Sequence, residues 1–148
     1  MNSRKVFVLD LFTIKAIISE DEDLYGRTIA LLQLIKDKCH KVVMTPALHR
    51  EYSRKIKDLE KTKKYTYDRL LKKIKGLLIA GDNKVFMVNE PGYNIPGVPA
   101  KDQIIVKPAI ARQGAIIVTT NRKHLINNQN LKSRGINVVS LEDVFKLL

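Results

Sequence analysis

Cysteine is nearly absent from this chain: Cys39 is the only one in 148 residues. That excludes an intramolecular disulfide framework and a cysteine-based zinc site, and it fits a reducing compartment. Long apolar runs are missing as well. Uninterrupted stretches such as Leu77 to Ala80 and Ala115 to Val118 are far shorter than the roughly 18 residues that span a bilayer. The amino-terminal segment MNSRKVFVLDLF opens like a signal peptide, with Arg4 and Lys5 before an apolar run, but Asp10 and Lys15 interrupt it. A soluble, cytoplasmic protein with no membrane partner is therefore expected. Acidic residues are also scarce: 15 Asp and Glu against 27 Lys and Arg leave a formal charge of +12. Such an excess points to an anionic partner, with nucleic acid first. There is no Gln, Ser or Pro bias of the kind that marks disorder, and 45% of residues are hydrophobic, enough for a packed core. At this length one domain, residues 1–148, is expected.

The pattern of apolar residues alternates between strand and helix. Lys5 to Leu9 is a short β-branched run without polar alternation, as in a strand covered on both faces, and Asp10 ends it. Helical spacing follows from Leu11 to Ser19 and from Leu24 to Cys39, then a Val-rich strand from Lys41 to Met44. Thr45 and Pro46 read as the cap and first residue of a third helix whose inner face is Leu48, Tyr52, Ile56 and Leu59. A fourth helix is predicted from Lys64 to Ala80, stopped by Gly81 and Asp82. The Pro- and Gly-rich segment Glu90 to Pro99 reads as an ordered connection. A fifth, nearly all-apolar helix is predicted from Pro99 to Gln113, kinked or shortened by Pro108. Ala115 to Thr119 and Ile136 to Val139 read as further strands, with a short helix near Arg122 to Ile126 and a terminal one capped by Ser140. Strands alternating with helices imply right-handed crossovers and a parallel sheet, an α/β fold.

In such sheets ligands bind outside the carboxyl ends of the strands. Asp10 leaves the first strand there, and Thr119, Thr120 and Asn121 leave the strand Ala115 to Thr119 at the same kind of position. Asp102 falls in the first turn of the fifth helix, and Glu51 borders the apolar face of the third. Taken singly, Asp10 could be a helix cap, Asp102 a charge on a helix dipole, and Glu51 half of an ion pair with Arg54 or Lys55. Taken together, two Asp and one Glu could share one cleft. Clustered carboxylates of that kind ordinarily hold a hard cation, Mg²⁺ or Mn²⁺. His49 and His124 neighbour two of these residues, whereas His40 has no partner by sequence.

The segments VFVLD with Asp10, TPALHREY with Glu51, KDQIIVKPAIA with Asp102 and IIVTTNRKHL with Thr119 and Asn121 resemble, in order and spacing, the PIN-domain nucleases. That group includes the toxin ribonucleases of toxin–antitoxin pairs. The resemblance implies a Rossmann-like α/β/α sandwich with a short, mainly parallel sheet, and a divalent-metal-dependent ribonuclease that often works as a dimer. It further implies that Asp10 and Asp102 hold the metal directly and Glu51 directly or through water, with Thr119 and Asn121 positioning water. Asn121 is a departure, because the family usually has an aspartate there. Asn accepts a hydrogen bond but brings no charge, which leaves open a one-metal enzyme, a slower one, or an RNA-binding relative that no longer cuts.

From Arg50 to Lys75 eleven Lys and Arg face four Asp and Glu, a surplus of seven in a chain whose total excess is twelve. Either this is a solvated helical hairpin or it is a track for RNA phosphates. Tyr65 and Tyr67 within it could stack on bases. On the second reading Arg50, Arg54, Lys55, Lys64 and Lys72 contact RNA, and Lys101, Arg122 and Lys123 extend the track. The expected partners are RNA, an antitoxin protein if the chain is a toxin, and a second copy through exposed apolar parts of the second or fifth helix.

Overall fold

The strongest periodicities become the elements that frame the site. The computed structural model describes residues 4–81 and 84–148. Their order is β1 (Val6–Leu9), α1 (Phe12–Ile18), α2 (Glu22–Asp37), β2 (Lys41–Met44), α3 (Pro46–Glu60), α4 (Arg69–Ile74), β3 (Val85–Met87), α5 (Gln103–Ala111), β4 (Ile116–Thr119), α6 (Gln129–Ser133) and β5 (Asn137–Ser140). Single turns of 3₁₀ helix lie at Lys63–Tyr65, Ala100–Asp102 and Asp143–Leu147, and wider π turns at Lys75–Ile79 and Arg122–Ile126.

All five strands are parallel, in the order β3-β2-β1-β4-β5. In β1, Phe7 pairs with Val42 on one side and Ile116 on the other. Right-handed crossovers then place the helices that lead to β2 and β3 on one face and those after β3 on the other. Accordingly α1, α2 and α4 pack on one another, while α5 lies against β1, β2 and β4. The result is a Rossmann-like three-layer α/β/α arrangement. Its core runs through Phe7, Val8, Leu9, Val42, Val43, Met44, Ile117 and Val118, all fully buried. Apolar residues on both faces explain why these strands show no polar alternation.

Local chemistry sets the boundaries. Thr45 accepts from the Leu48 N–H and Pro46 takes the first position of α3, whose buried face is Leu48, Tyr52, Ile56 and Leu59, as the spacing predicts. The fourth helix starts at Arg69 rather than Lys64. Asp68 turns out of the helix to cap it, accepting from the Leu71 N–H (2.9 Å) and the Tyr25 hydroxyl (3.1 Å). The helix buries Leu70, Leu71 and Ile74, and the π turn that continues it buries Leu77 and Leu78. Gly81 has φ +80°, a left-handed conformation suited to a helix end; Asp82 lies outside the described residues, as do Met1 to Ser3. Pro108 is buried inside α5, which ends three residues later at Ala111. Two elements are additions to the expected set. β3 is three residues long with Phe86 and Met87 exposed, and α6 is a single polar turn capped by Asn128, so neither has enough residues to show a period. Ser140 ends β5 and accepts from the Asp143 N–H (3.0 Å). Among the described residues no helix is long and apolar enough to cross a membrane.

Candidate active site at the carboxyl ends of β1 and β4

The chain leaves β1 toward β2 and returns on the opposite side as β4. The crevice between the carboxyl ends of β1 and β4 is therefore the topological switch point, where doubly wound sheets bind ligands. Asp10 and Thr119 flank it. Asp10 follows β1 directly, and its N–H donates to the Val118 carbonyl (3.1 Å), which continues the β1–β4 ladder by one residue. One carboxylate oxygen, Oδ1, accepts from the Leu11 N–H (2.6 Å), and Oδ2 accepts from the Thr119 hydroxyl (2.6 Å). Thr119 is fully buried, and its Oγ1 also accepts from the Asn121 N–H (2.9 Å). Both Asp10 oxygens thus have short donors that fix the carboxylate's orientation.

Asp102 ends the 3₁₀ turn before α5. It is 9% exposed, its side chain makes no capping bond, and its Oδ2 is buried without a partner. A buried carboxylate oxygen without a donor is costly unless a cation or proton meets it. Asp102 also lies close enough to act on Asp10. Burial is the main force pushing the Asp10 carboxyl above its ordinary value. The Thr119 and Leu11 bonds oppose the rise and the Asp102 charge adds to it. Two like charges in a partly dehydrated crevice have that effect.

Glu51 stands apart from this pair. On the second turn of α3, its Oε1 accepts from Arg54 Nη2 at 2.7 Å and lies 3.6 Å from Lys55 Nζ, while Oε2 accepts from Arg54 Nε at 3.3 Å. The Arg54 bond is the main cause that holds the Glu51 carboxyl below its ordinary value. The ion-pair reading of Glu51 is the one realised here. Among the described residues no three His, Cys, Asp or Glu side chains are grouped so as to hold a metal ion. The expected convergence of three carboxylates is thus reduced to two, because Arg54 and Lys55, one turn along the same helix, already neutralise the third.

Asn121 is used locally. It caps the π turn Arg122–Ile126, its Oδ1 accepting from the His124 N–H (3.0 Å), so its carbonyl is occupied and its backbone braces Thr119. Among the expected RNA contacts, Arg50, Lys64, Lys72, Lys101, Arg122 and Lys123 are exposed, while Lys55 is half-buried beside Glu51. Arg54 is shared between Glu51 and Asp58, and Arg122 lies 3.6 Å from Glu142. From Arg50 to Lys75, Arg54, Lys55, Lys61 and Lys75 pair with Glu51, Asp58 and Glu60. The other seven cations enter no ion pair among the described residues, which leaves the surplus charge uncompensated at the surface.

Sequence reasoning missed the support beneath Asp10. Tyr52 is fully buried, and its hydroxyl lies within hydrogen-bond distance of the Leu9 carbonyl (2.8 Å), the Asp10 carbonyl (3.0 Å) and Thr13 Oγ1 (2.8 Å). This anchors the carboxyl end of β1 to α3 and α1. Burial pushes the Tyr52 phenol far above its ordinary value, so it remains a neutral hydrogen-bonding group. A Tyr on a Leu/Ile helix face signals that some partner must exist for its hydroxyl, but only the fold names it. The chain matches no protein-family model, no curated protein and no solved structure.

Proposed function

We propose that this protein is a divalent-metal-dependent ribonuclease of the PIN-like type, acting in the cytoplasm on single-stranded or structured RNA. One observation carries the reading: two mutually repelling carboxylates, Asp10 and Asp102, meet at the switch point of the sheet, and Asp102 Oδ2 is buried with no donor. Such a pair suits one Mg²⁺ or Mn²⁺ ion, held by Asp10 and Asp102. When bound, the ion would polarise a phosphodiester and acidify a coordinated water. Glu51 and Asn121 are committed to Arg54, Lys55 and the His124 N–H, which favours one ion over two.

The residues of the chain divide the remaining tasks. Thr119 orients Asp10 through a 2.6 Å bond and is itself braced by the Asn121 backbone. Asp102 Oδ2, buried without a donor, is the oxygen that would meet the ion. The uncompensated cations between Arg50 and Lys75, with Lys101 and Lys123, attract the phosphate backbone. Tyr67, 83% exposed, offers a face on which a base can stack.

The same commitments of Glu51 and Asn121 favour a second reading, an RNA-binding module of this fold that no longer cuts. As a toxin, the chain would also need an antitoxin protein to silence it. Incubation with single-stranded RNA and Mn²⁺ or Mg²⁺, beside Asp10→Asn, separates these readings. Cleavage by the unaltered chain and none by the variant supports the nuclease. Binding that weakens with salt, without cleavage in either, supports the module.

A further inference from the structure

A second concentration of charge lies at the other end of the sheet. The last turn of α2 leads through Lys38, Cys39 and His40 into β2, and the Lys41 N–H there donates to the Lys5 carbonyl before β1. Gln33 and Lys36 therefore sit beside the amino ends of the strands, away from Asp10 and Thr119 at the carboxyl ends. Between this turn of α2 and the end of α4 is a cavity of about 210 Å³ floored by Leu32 and Leu77. Lys36, Lys72 and Lys73 line it with Gln33.

These three lysines form no ion pair among the described residues. Lys73 Nζ donates to Gln33 Oε1 (2.5 Å), while Gln33 Nε2 donates to Asp37 (2.8 Å), so the nearby carboxylate is turned onto an amide instead of a lysine. Lys72 lies over the Tyr67 ring at 5.7 Å, which fixes the direction of its stem. At Gly76, in the cavity wall, the helix widens into the π turn Lys75–Ile79; such insertions recur at functional sites. Helix dipoles account for a lysine in the last turn of α2 or of α4. They do not account for three from two helices around one cavity without a carboxylate among them. Ammonium groups gathered this way repel one another until an anion joins them. The volume is below that of pockets for drug-sized ligands and suits one small, highly charged group.

We propose that the cavity bounded by Gln33, Lys36, Lys72 and Lys73 is a phosphate-binding site distinct from the carboxylate crevice. The phosphate is that of a nucleic acid or of a free phosphorylated small molecule. The site does not depend on the nuclease reading.

The test is calorimetric titration of the full chain with inorganic phosphate, without divalent metal. Saturation at a single site in the millimolar range or tighter is expected. Affinity should fall at least about tenfold, the value of one lost 1.4 kcal/mol interaction, in Lys36→Gln/Lys73→Gln, and should stay unchanged in Asp102→Asn. Amide shifts on adding phosphate should centre on Gln33 and Gly76. No saturation by millimolar phosphate, equal affinity in the double variant, or shifts centred on Asp10 would each overturn the proposal. Competition by RNA with and without a 5′-phosphate identifies a backbone phosphate as the natural occupant, competition only by the 5′-phosphorylated form identifies a terminal phosphate, and competition by neither identifies a free small molecule. Because Lys36 is exposed on the helix surface, Lys36→Glu tests the same site with little risk to folding; phosphate binding retained there at full strength would also overturn it.

Discussion

The two ends of the sheet both collect charge of one sign, and they handle it differently. At the carboxyl ends, Asp10 and Asp102 are drawn into a crevice, where burial raises the cost of charge on Asp10 and Asp102 Oδ2 is left without a donor. Along α3, lysines and arginines project into solvent, where water and salt screen most of their repulsion, and at the amino ends Lys36, Lys72 and Lys73 gather around a cavity. Stability has been given up at the carboxyl ends. A solvated lysine costs little to keep, whereas an uncompensated carboxylate pair persists only where the surrounding fold holds it, as Thr119 and Tyr52 do here. That is the pattern expected if the proposed cation binds there.

Removing the charge of Asp102 should have the largest effect. If Asp102 holds the ion, Asp102→Asn should leave no metal-dependent RNA cleavage, read as the rate at the Mn²⁺ concentration that saturates the unaltered chain. Removing the brace beneath the same end comes next. Tyr52→Phe leaves Thr13 and the Leu9 and Asp10 carbonyls without the hydroxyl, and should destabilise the fold by about 1–3 kcal/mol, measured by denaturant unfolding with an unchanged m-value.

A smaller effect has the opposite sign. Asp10 has a raised carboxyl in the folded chain, so its contribution to stability is present in acid and is lost as pH rises through the folded value. At neutral pH the charged Asp10 carboxylate therefore costs stability, mainly through its burial and in smaller part through the Asp102 charge. Asp102→Asn should raise the melting temperature in metal-free buffer by about 2–4 °C for each kcal/mol recovered. The same variant that loses activity should gain stability, which an ordinary core position would not do. On the basic side, Lys57→Gln with Lys63→Gln should leave melting unchanged and flatten the salt dependence of RNA binding, by about 0.7 in logarithmic slope for each phosphate that is no longer neutralised.

The smallest effect is expected at His40. Its Nδ1 accepts from the Lys5 N–H (2.9 Å), its Nε2 is buried without a partner, and burial is the main cause lowering its affinity for a proton. His40 therefore favours the folded state above the ordinary histidine value, and that contribution fades as pH falls through the lowered folded value. His40→Asn, with Oδ1 able to accept from Lys5, should show a shallower loss of melting temperature between neutral pH and pH about 5.

Much of the fold is legible in the sequence because it rests on local chemistry. Thr45–Pro46 marks the start of α3, and Leu48, Tyr52, Ile56 and Leu59 its buried face. The apolar runs at Val6 and Ile116 are strands buried on both sides. β3 is not legible, since three residues at a sheet edge with Phe86 and Met87 exposed carry no pattern of their own. Spacing alone misplaces the start of α4, because Asp68 could continue a helix, and only its bond from the Leu71 N–H shows that it caps one. At the site, the positions of Asp10, Asp102 and Thr119 follow from strand ends and the first turn of a helix. The fate of Glu51 does not. Whether a carboxylate on α3 turns to a cleft or to Arg54 is decided by side-chain torsions that spacing does not encode.

Cation binding between Asp10 and Asp102 is measured by calorimetric titration of the metal-free chain with Mn²⁺. One ion per chain should bind to the unaltered protein, with binding abolished in Asp102→Asn and retained in Glu51→Gln. Equal Mn²⁺ binding by the unaltered chain and Asp102→Asn, or none by either at millimolar metal, would contradict the account.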